Sequence, residues 1–268
     1  MKQIAGAFGP AFLFCPASRP DRFQKAVDAA DFVILDLEDA VAEADKEIAR
    51  QHLIENPLEP GVVVVRINPI SSPDHDVDLA ALALTPYRRV MVPKAEDAEL
   101  LAALDAYELI ALCETPRGVV NVAAIAATPS VIALMWGAED LMASLGGRGS
   151  REVNGEYLDV VRHARSSVLL AAGAAGKAAI DAVYLDISDV DGLRREAVDA
   201  ATSGFAGKAC IHPKQVDVVR DAFRPSDDQV AWARRVVDTA SGGGVTTIDG
   251  RMVDEPLLRQ ARTILAMR

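Results

Sequence analysis

The sequence lacks the features that mark several common classes of protein. Its three cysteines, Cys15, Cys113 and Cys210, lie in apolar runs without metal-ligand spacing, which predicts reduced core residues in a cytoplasmic protein. Basic residues are outnumbered 28 to 39, and the net charge of −11 disfavours nucleic acid as a partner. No run approaches the roughly 20 apolar residues that cross a bilayer, so no membrane partner is expected.

The N-terminal residues resemble a weak secretory signal, because Lys2 precedes the apolar run IAGAFGPAFLFC. Gly9 and Pro10 interrupt that run, and the phenylalanines at 12 and 14 are too bulky for a small-residue cleavage site. We therefore interpret AFLFC, at the end of the run, as the first strand.

Strand-like apolar runs alternate with helical patterns along the chain. Half of the 268 residues are hydrophobic, which is enough for one large core and a small appendage. The predicted strands are AFLFC, FVILDLED, VVVVRIN, RVMVPKA, ELIALCET, VIALMWGAED, AVYLDIS (Ala182 to Ser188) and GKACIHP. This alternation predicts an α/β fold, a (β/α)8 barrel, with an open doubly wound sheet as the alternative. The first strand lacks a Gly-x-Gly-x-x-Gly turn and polar residues end nearly every run, which favours the barrel.

Two carboxylates, Glu114 and Asp140, end the fifth and sixth apolar runs. The strand-helix-strand pattern between them implies parallel strands, so both acids emerge at the same edge of the sheet. Two acidic side chains that close repel each other unless a cation or a proton lies between them, and oxygen ligands suit Mg²⁺ better than Zn²⁺. An ordinary ion pair of each acid with a nearby arginine is the alternative.

Other strand ends carry side chains that permit two interpretations each. Arg66 can fork onto a substrate carboxylate, or it can hold Asp36 or Glu38. Lys94 can act as a Schiff-base nucleophile if it is desolvated, although an ion pair is the commoner role. His212, at the end of the last strand, fits a packed or hydrogen-bonded residue better than a general base.

Basic residues recur at helical spacing in the first helical segment. They are Arg19, Arg22 and Lys25, close to the predicted start of that helix. Such a face suits a phosphate site, and a solvated surface is the alternative.

The tail beyond the last predicted strand differs in kind from the rest of the chain. Ser226 and Gln229 predict a capping box for the helix DDQVAWARRVVDTAS. A hinge is predicted at Gly242 to Gly244, and Asp249-Gly250 between two β-prone arms predicts a hairpin.

The last helix is predicted to begin after Asp254, an obvious N-cap residue. We therefore predict two domains. Residues 1–224 form a catalytic barrel, and residues 225–268 form an arm of helix, hairpin and helix that covers a neighbouring subunit's site.

Several motifs together resemble the HpcH/HpaI aldolase and citrate lyase β-subunit family. They are FCPASRPDRFQKA, ILDLEDAV, VVRIN, VMVPKAE, ALCETPRG, MWGAEDL, CIHPKQV and GRMVDEPLL, and they run nearly from end to end. The resemblance implies a Mg²⁺-dependent (β/α)8 lyase, trimeric or built from trimers. Such an enzyme makes or breaks the carbon bond between an acyl thioester and a 2-oxo acid.

The resemblance also implies roles for individual residues around the metal. Glu114 and Asp140 match the metal ligands, and Glu114 thereby serves both substrate binding and catalysis. Arg66 matches the catalytic residue that contacts the oxo-acid oxygens. Backbone N–H groups around Gly137 and Ala138 match those that hold the substrate carboxylate.

The resemblance also implies a coenzyme A site and a contribution from a second subunit. The resemblance implies a coenzyme A site at Pro16, Arg19, Arg22, Lys25 and Pro93. Asp254 resembles the catalytic aspartate that citramalyl-CoA and malyl-CoA lyases place over an adjacent subunit's site, which competes with its interpretation as a helix cap.

The predicted reaction is cleavage of a citramalyl-CoA or malyl-CoA type thioester to acetyl-CoA and a 2-oxo acid, or the reverse condensation. Two alternatives come from other classes. One is a citryl thioester lyase β subunit that depends on an acyl carrier protein and is inactive alone. The other is a metal-independent Schiff-base aldolase that uses Lys94.

Overall fold

A computed structural model describes residues 9–240, 246–248 and 251–267 of the chain. Eight parallel strands in sequential order form a closed barrel. The strands are β1 (Ala11–Pro16), β2 (Phe32–Asp36), β3 (Val63–Arg66), β4 (Arg89–Val92), β5 (Glu108–Cys113), β6 (Val131–Trp136), β7 (Ala178–Asp181) and β8 (Gly207–Cys210). Because β8 pairs with β1, the ring is closed and the predicted barrel is confirmed.

Helices connect the strands on the outside of the barrel, as the alternating pattern predicts. They are α1 (Phe23–Ala29), α2 (Lys46–Glu55), α3 (His75–Leu82), α4 (Ala98–Ala102), α5 (Pro116–Val120), α6 (Val122–Ala127), α7 (Ala138–Ser144), α8 (Asp159–Ala174), α9 (Val190–Ser203) and α10 (Val216–Phe223). None of the described helices is long and apolar enough to span a membrane.

Alternate side chains of the strands fill the barrel interior. This core consists of Phe12, Phe32, Ile34, Val64, Met91, Ile110, Leu112, Ala133, Met135, Ile180 and Ala209. Because successive side chains of a strand point to opposite faces, the neighbours of these residues point outward, towards the helices. The interior is therefore packed with apolar side chains, and the polar groups are left to the strand ends.

One predicted strand is misplaced. The seventh strand is Ala178–Asp181, and Ala182 to Ser188 form a connection without regular structure. Within that connection, the side chain of Asp186 accepts a hydrogen bond from the backbone N–H of Ser188 at 2.9 Å, so it forms a local turn. Leu185 and Ile187, whose apolar character suggested a strand, are exposed.

The last barrel strand, β8, is followed by a hydrogen-bonded histidine, which is the role favoured for His212 over that of a general base. His212 lies at the N-cap of a short 3₁₀ turn, Pro213–Gln215. Its Nδ1 accepts a hydrogen bond from the backbone N–H of Lys214 at 3.1 Å. This contact supports a structural role for His212.

The chain divides after Val219 into two compact units. The second contains the helices α11 (Asp227–Ala240) and α12 (Glu255–Ala266) and an antiparallel pair of strands, β9 (Thr246–Ile248) and β10 (Arg251–Val253). Its core is formed by Ala233, Val236, Val253 and Ala261.

The predicted capping box of the second unit is present. The backbone N–H of Ser226 donates to Gln229 Oε1 at 2.8 Å, and the N–H of Gln229 donates to Ser226 Oγ at 3.2 Å. The hairpin is confirmed by the pairing of β9 with β10. Its turn at Asp249-Gly250 and the hinge at Gly242 to Gly244 lie outside the described residues.

Candidate metal and substrate site

A cavity of about 280 Å³ lies at the carboxyl ends of the barrel strands. Its polar lining consists of Asp36, Asp39, Arg66, Glu114, Glu139 and Asp140, together with Gly137 and Ala138. Its apolar lining consists of Phe14, Leu112, Met135, Trp136, Val183 and Ile211, with Ala40. The cavity therefore brings together every residue predicted to bind metal or oxo acid in this part of the chain.

Glu114 is buried at the end of β5, with only 3% of the residue exposed. Its Oε1 accepts a hydrogen bond from the backbone N–H of Lys94 at 3.0 Å. Burial, with Asp140 and Glu38 nearby, raises the pKa of Glu114 to about 8. The fold therefore holds an acid whose negative charge is poorly balanced by the surrounding side chains.

Gly137 leaves the space that this carboxylate occupies. Cys113 pairs with Trp136 in the β5–β6 ladder, so Glu114 and Gly137 are the next residues on neighbouring strands. A Cβ atom at Gly137 would lie 2.8 Å from Glu114 Oε2 and 2.9 Å from Glu114 Cβ. Only glycine fits here without moving the glutamate, because both distances are shorter than real Cβ contacts.

Asp140 reaches the cavity from the first turn of α7. Its side chain is partly exposed, and its Oδ1 lies 3.8 Å from Lys94 Nζ. The adjacent acid differs, because Glu139 Oε1 accepts a hydrogen bond from Ser150 Oγ at 2.6 Å. Asp140 is therefore the acid of this turn that can share a cation with Glu114.

Arg66 is held by two acids of the second strand end. Its Nε and Nη2 donate to the two oxygens of Asp36 at 2.7 and 2.5 Å, and its Nη1 lies 2.9 Å from Glu38 Oε2. The guanidinium carbon also lies 4.8 Å from the ring centroid of Phe14. Burial opposes its charge, but Asp36 and Glu38 outweigh burial and raise the pKa of Arg66. The interpretation that Arg66 holds Asp36 is confirmed, and its guanidinium still lines the cavity.

Lys94 forms an ion pair, which is the predicted alternative to a Schiff-base role. Its Nζ lies 2.5 Å from Glu38 Oε1. Burial alone would lower the pKa of Lys94, but the contact with Glu38 outweighs it and raises the pKa. A Schiff-base lysine needs a neutral amine, so this environment favours the ion pair.

The charges of the cavity fit a divalent cation. With every group ionised, Asp36, Glu38, Glu114 and Asp140 outnumber Arg66 and Lys94 by two charges, and Asp39 and Glu139 also line the cavity. Among the described residues, no group of three or more His, Cys, Asp or Glu side chains is arranged to hold a metal ion. A cation here would have two carboxylate ligands and open positions for other oxygens, which is how Mg²⁺ is commonly bound.

The residues predicted to bind coenzyme A lie apart from the cavity lining. Arg19, Arg22 and Lys25 are exposed, and Arg19 forms an ion pair with Asp21, with Nε and Oδ1 2.9 Å apart. Of the two prolines in the set, Pro16 is partly buried and Pro93 is buried. The buried Pro93 offers little surface to a ligand, and the basic face stays a prediction.

Several residues that line the cavity, Phe14, Val183 and Ile211 among them, were not predicted from the sequence. Phe14 lies two residues after the core residue Phe12, so strand alternation alone would place it on the inner face. Val183 and Ile211 follow β7 and β8, and the wrong position of the seventh strand concealed the first of them. Strand alternation could therefore have identified Phe14, whereas Val183 and Ile211 could be identified only with exact strand ends.

Replacement of Gly137 by alanine is expected to weaken Mg²⁺ binding by about tenfold to a hundredfold, because the new methyl group displaces Glu114. Isothermal titration with MgCl₂ measures the effect. Gly149→Ala is the matched control, since a Cβ atom there has no described atom within 4 Å. Equal Mg²⁺ affinity in both variants would contradict the inference that a methyl group at position 137 displaces Glu114 from a cation site.

Several known proteins are similar to this chain in sequence and in fold. The model of the HpcH/HpaI aldolase/citrate lyase family matches residues 11–213. A citrate lyase subunit beta-like protein of Mycobacterium tuberculosis is 55% identical over 260 residues, which are 97% of this chain and 95% of that protein. An L-malyl-CoA/beta-methylmalyl-CoA lyase of Rhodobacter capsulatus is 35% identical over 293 residues, covering 94% and 92%.

A solved structure is also closely similar. The crystal structure of the protein CitE from Mycobacterium tuberculosis, in complex with magnesium, acetoacetate and coenzyme A, has a TM-score of 0.95 to this chain. The two sequences are 54% identical, and the match covers 98% of each chain. The similarity therefore extends over both compact units.

Proposed function

Since this chain belongs to the HpcH/HpaI aldolase/citrate lyase family, we propose that it is a Mg²⁺-dependent carbon–carbon lyase acting on acyl-CoA. Its substrate is a 3-hydroxy-3-carboxyacyl-CoA of the citramalyl-CoA or malyl-CoA type, and its products are acetyl-CoA and a 2-oxo acid, or the reverse. One observation carries this proposal. Glu114 and Asp140 share a cavity in which carboxylates outnumber cations, so the negative charge of these two acids is poorly balanced.

Glu114 and Asp140 are the residues that would hold the metal. Mg²⁺ bound there supplies a Lewis acid that lowers the pKa of the substrate hydroxyl. Arg66 is preorganised by Asp36 and places positive charge at the cavity wall, where it stabilises the oxygen that becomes negative. Gly137 and Ala138 line the same cavity, and their backbone N–H groups would bind the carboxylate of the oxo acid.

Cleavage moves one proton off the substrate and returns one to the product. A base takes the hydroxyl proton, the carbon–carbon bond breaks, and its electron pair passes to the thioester α-carbon as an enolate. The 2-oxo acid leaves with the new carbonyl group. Asp254 of an adjacent subunit delivers the proton that converts the enolate to acetyl-CoA.

We extend the proposal to the assembly and its surroundings. A homotrimer, or a multiple of one, would let the unit formed by residues 220–268 cover a neighbouring cavity. The exposed face of Arg19, Arg22 and Lys25 would bind the phosphates of coenzyme A. The three cysteines, Cys15, Cys113 and Cys210, are buried, and buried core cysteines are consistent with the cytoplasm.

Side-by-side assays test the proposed function. Purified protein with Mg²⁺ receives citramalyl-CoA, malyl-CoA and citryl-CoA, and the thioester products are identified by mass spectrometry. We expect acetyl-CoA from one of the first two substrates and no product after EDTA treatment. Turnover only of a citryl thioester on an added acyl carrier protein would favour the β-subunit alternative. Activity that survives EDTA, with borohydride trapping of pyruvate, would favour Lys94.

Asp254→Asn is expected to lower kcat by about a hundredfold while Mg²⁺ affinity stays unchanged. Asp254 caps α12, because its Oδ1 accepts a hydrogen bond from the backbone N–H of Leu257 at 3.3 Å. Asparagine caps helices about as well as aspartate, so folding should be unaffected. Steady-state kinetics and thermal unfolding separate the two roles.

A second aspartate cap provides the control for this variant. Asp97 caps α4 by accepting hydrogen bonds from the backbone N–H groups of Glu99 and Leu100. Asp97→Asn should leave both kcat and stability unchanged. If Asp254→Asn has the same kinetics as this control, Asp254 is only a helix cap. Activity recovered by mixing Asp254→Asn and Asp140→Asn protomers would support a site shared between subunits.

A further inference from the structure

Lys94 contacts both proposed metal ligands and a third acid. Among the described residues it is the one non-glycine residue with a positive φ, of 49°. Its backbone N–H donates to Glu114 Oε1, while its ammonium group lies 2.5 Å from Glu38 Oε1 and 3.8 Å from Asp140 Oδ1. A left-handed backbone is strained in a residue other than glycine, so such residues concentrate at functional sites.

Glu38 is the acid that this lysine separates from the metal ligands. It is 4% exposed, and each of its oxygens faces a cation: Oε1 faces Lys94 and Oε2 faces Arg66. Oε2 has no hydrogen-bond partner among the described residues, although Arg66 Nη1 lies only 2.9 Å away. One ammonium group thus stands between a buried carboxylate and Asp140.

We propose that Lys94 is a positioning residue that, with Arg66, occupies Glu38 and so limits the metal to two carboxylate ligands, Glu114 and Asp140. The inference rests on the proposed function, in which the remaining positions around Mg²⁺ belong to the oxygens of the substrate. A third carboxylate would bind the cation more tightly and fill a position that the substrate needs.

Loss of the ammonium group changes the charge balance in a definite direction. The cavity then carries one more uncompensated negative charge, and a buried carboxylate without its partner is strongly unfavourable. A divalent cation relieves both effects. Removing Lys94 should therefore strengthen Mg²⁺ binding. If Lys94 merely stabilised the fold, its removal would weaken Mg²⁺ binding or leave it unchanged.

The test is Mg²⁺ titration of wild type, Lys94→Met, Glu38→Gln and the double variant by isothermal calorimetry. Lys94→Met should bind Mg²⁺ roughly tenfold more tightly than wild type, because a positive charge close to the cation is lost. Its kcat should fall while KM for the thioester rises. In the double variant the Mg²⁺ affinity should return to the wild-type value, since position 38 then carries a neutral glutamine instead of a carboxylate.

Thermal unfolding with and without MgCl₂ gives a second readout. Mg²⁺ should stabilise Lys94→Met more than it stabilises wild type. Lys94→Gln, which removes the charge but can still donate to Glu38, replaces Lys94→Met if the latter does not fold. Unchanged or weaker Mg²⁺ binding by the lysine variants would overturn the inference. That result is expected if Glu38 takes up a proton when Lys94 is lost, or if Lys94 is purely structural. If wild type itself binds no Mg²⁺, the proposed function fails instead.

Discussion

Glu114→Gln is expected to abolish Mg²⁺ binding and to lower kcat/KM by about a thousandfold or more, because one of the two proposed metal ligands is lost. The substitution conserves shape, so the side chain should still accept the backbone N–H of Lys94. Calorimetric titration with MgCl₂ and the acetyl-CoA assay measure the two effects. Glu108→Gln, at the opposite end of β5 and exposed, is the control and should retain both properties.

The same variant should make the metal-free protein less sensitive to pH. The pKa of Glu114 is about 8 in the folded chain against 4.5 for an unperturbed glutamate, so the folded state binds the proton more tightly. Stability from this group is therefore complete below pH 4.5 and is lost as the pH rises through 8. Glu114→Gln should remove that part of the loss, which unfolding measurements in EDTA between pH 5 and 9 would reveal. A steeper loss in the variant would contradict the burial argument.

The convergence of Glu114 and Asp140 could be predicted from sequence because it depends on local features. Each acid follows an apolar run, and the segment between the runs has a helical pattern, which forms α5 and α6 in the structure. Right-handed parallel connections then leave only one edge at which both acids can emerge. The eight-strand pattern likewise follows from the order of apolar runs and requires no knowledge of distant contacts.

Pairings between distant residues could not be predicted in the same way. Two acids and two cations lie at three strand ends: Asp36, Glu38, Arg66 and Lys94. From the sequence alone, each cation could contact either the substrate or one of the acids. Which pairs form depends on the packing of side chains in three dimensions. The position of the seventh strand was predicted wrongly for a related reason. Its apolar run AAID is short and ends in an acid, Asp181, whose partners lie on β8 and α8.

Lys208→Met is expected to destabilise the barrel by about 3–5 kcal/mol, because it breaks a buried ion pair and leaves charge without compensation. Lys208 is fully buried on the outer face of β8. Its Nζ lies 3.0 Å from Asp181 Oδ2 and 2.8 Å from Glu196 Oε1, and it donates to the carbonyl of Ala182 at 2.7 Å. Methionine fills a similar volume but makes none of these bonds. Urea unfolding of the metal-free protein measures the loss.

Two further variants decide whether charge or packing causes that loss. Lys25→Met, at an exposed position, should change stability by no more than about 0.5 kcal/mol. Adding Glu196→Gln to Lys208→Met restores the charge balance and should recover part of the stability, although Glu196 also accepts hydrogen bonds from Arg151 and Tyr157. If the double variant is no more stable than Lys208→Met alone, lost packing and hydrogen bonds account for the effect. A loss below about 1 kcal/mol in the single variant would show that Arg165, 2.9 Å from Asp181, compensates the acid without the lysine.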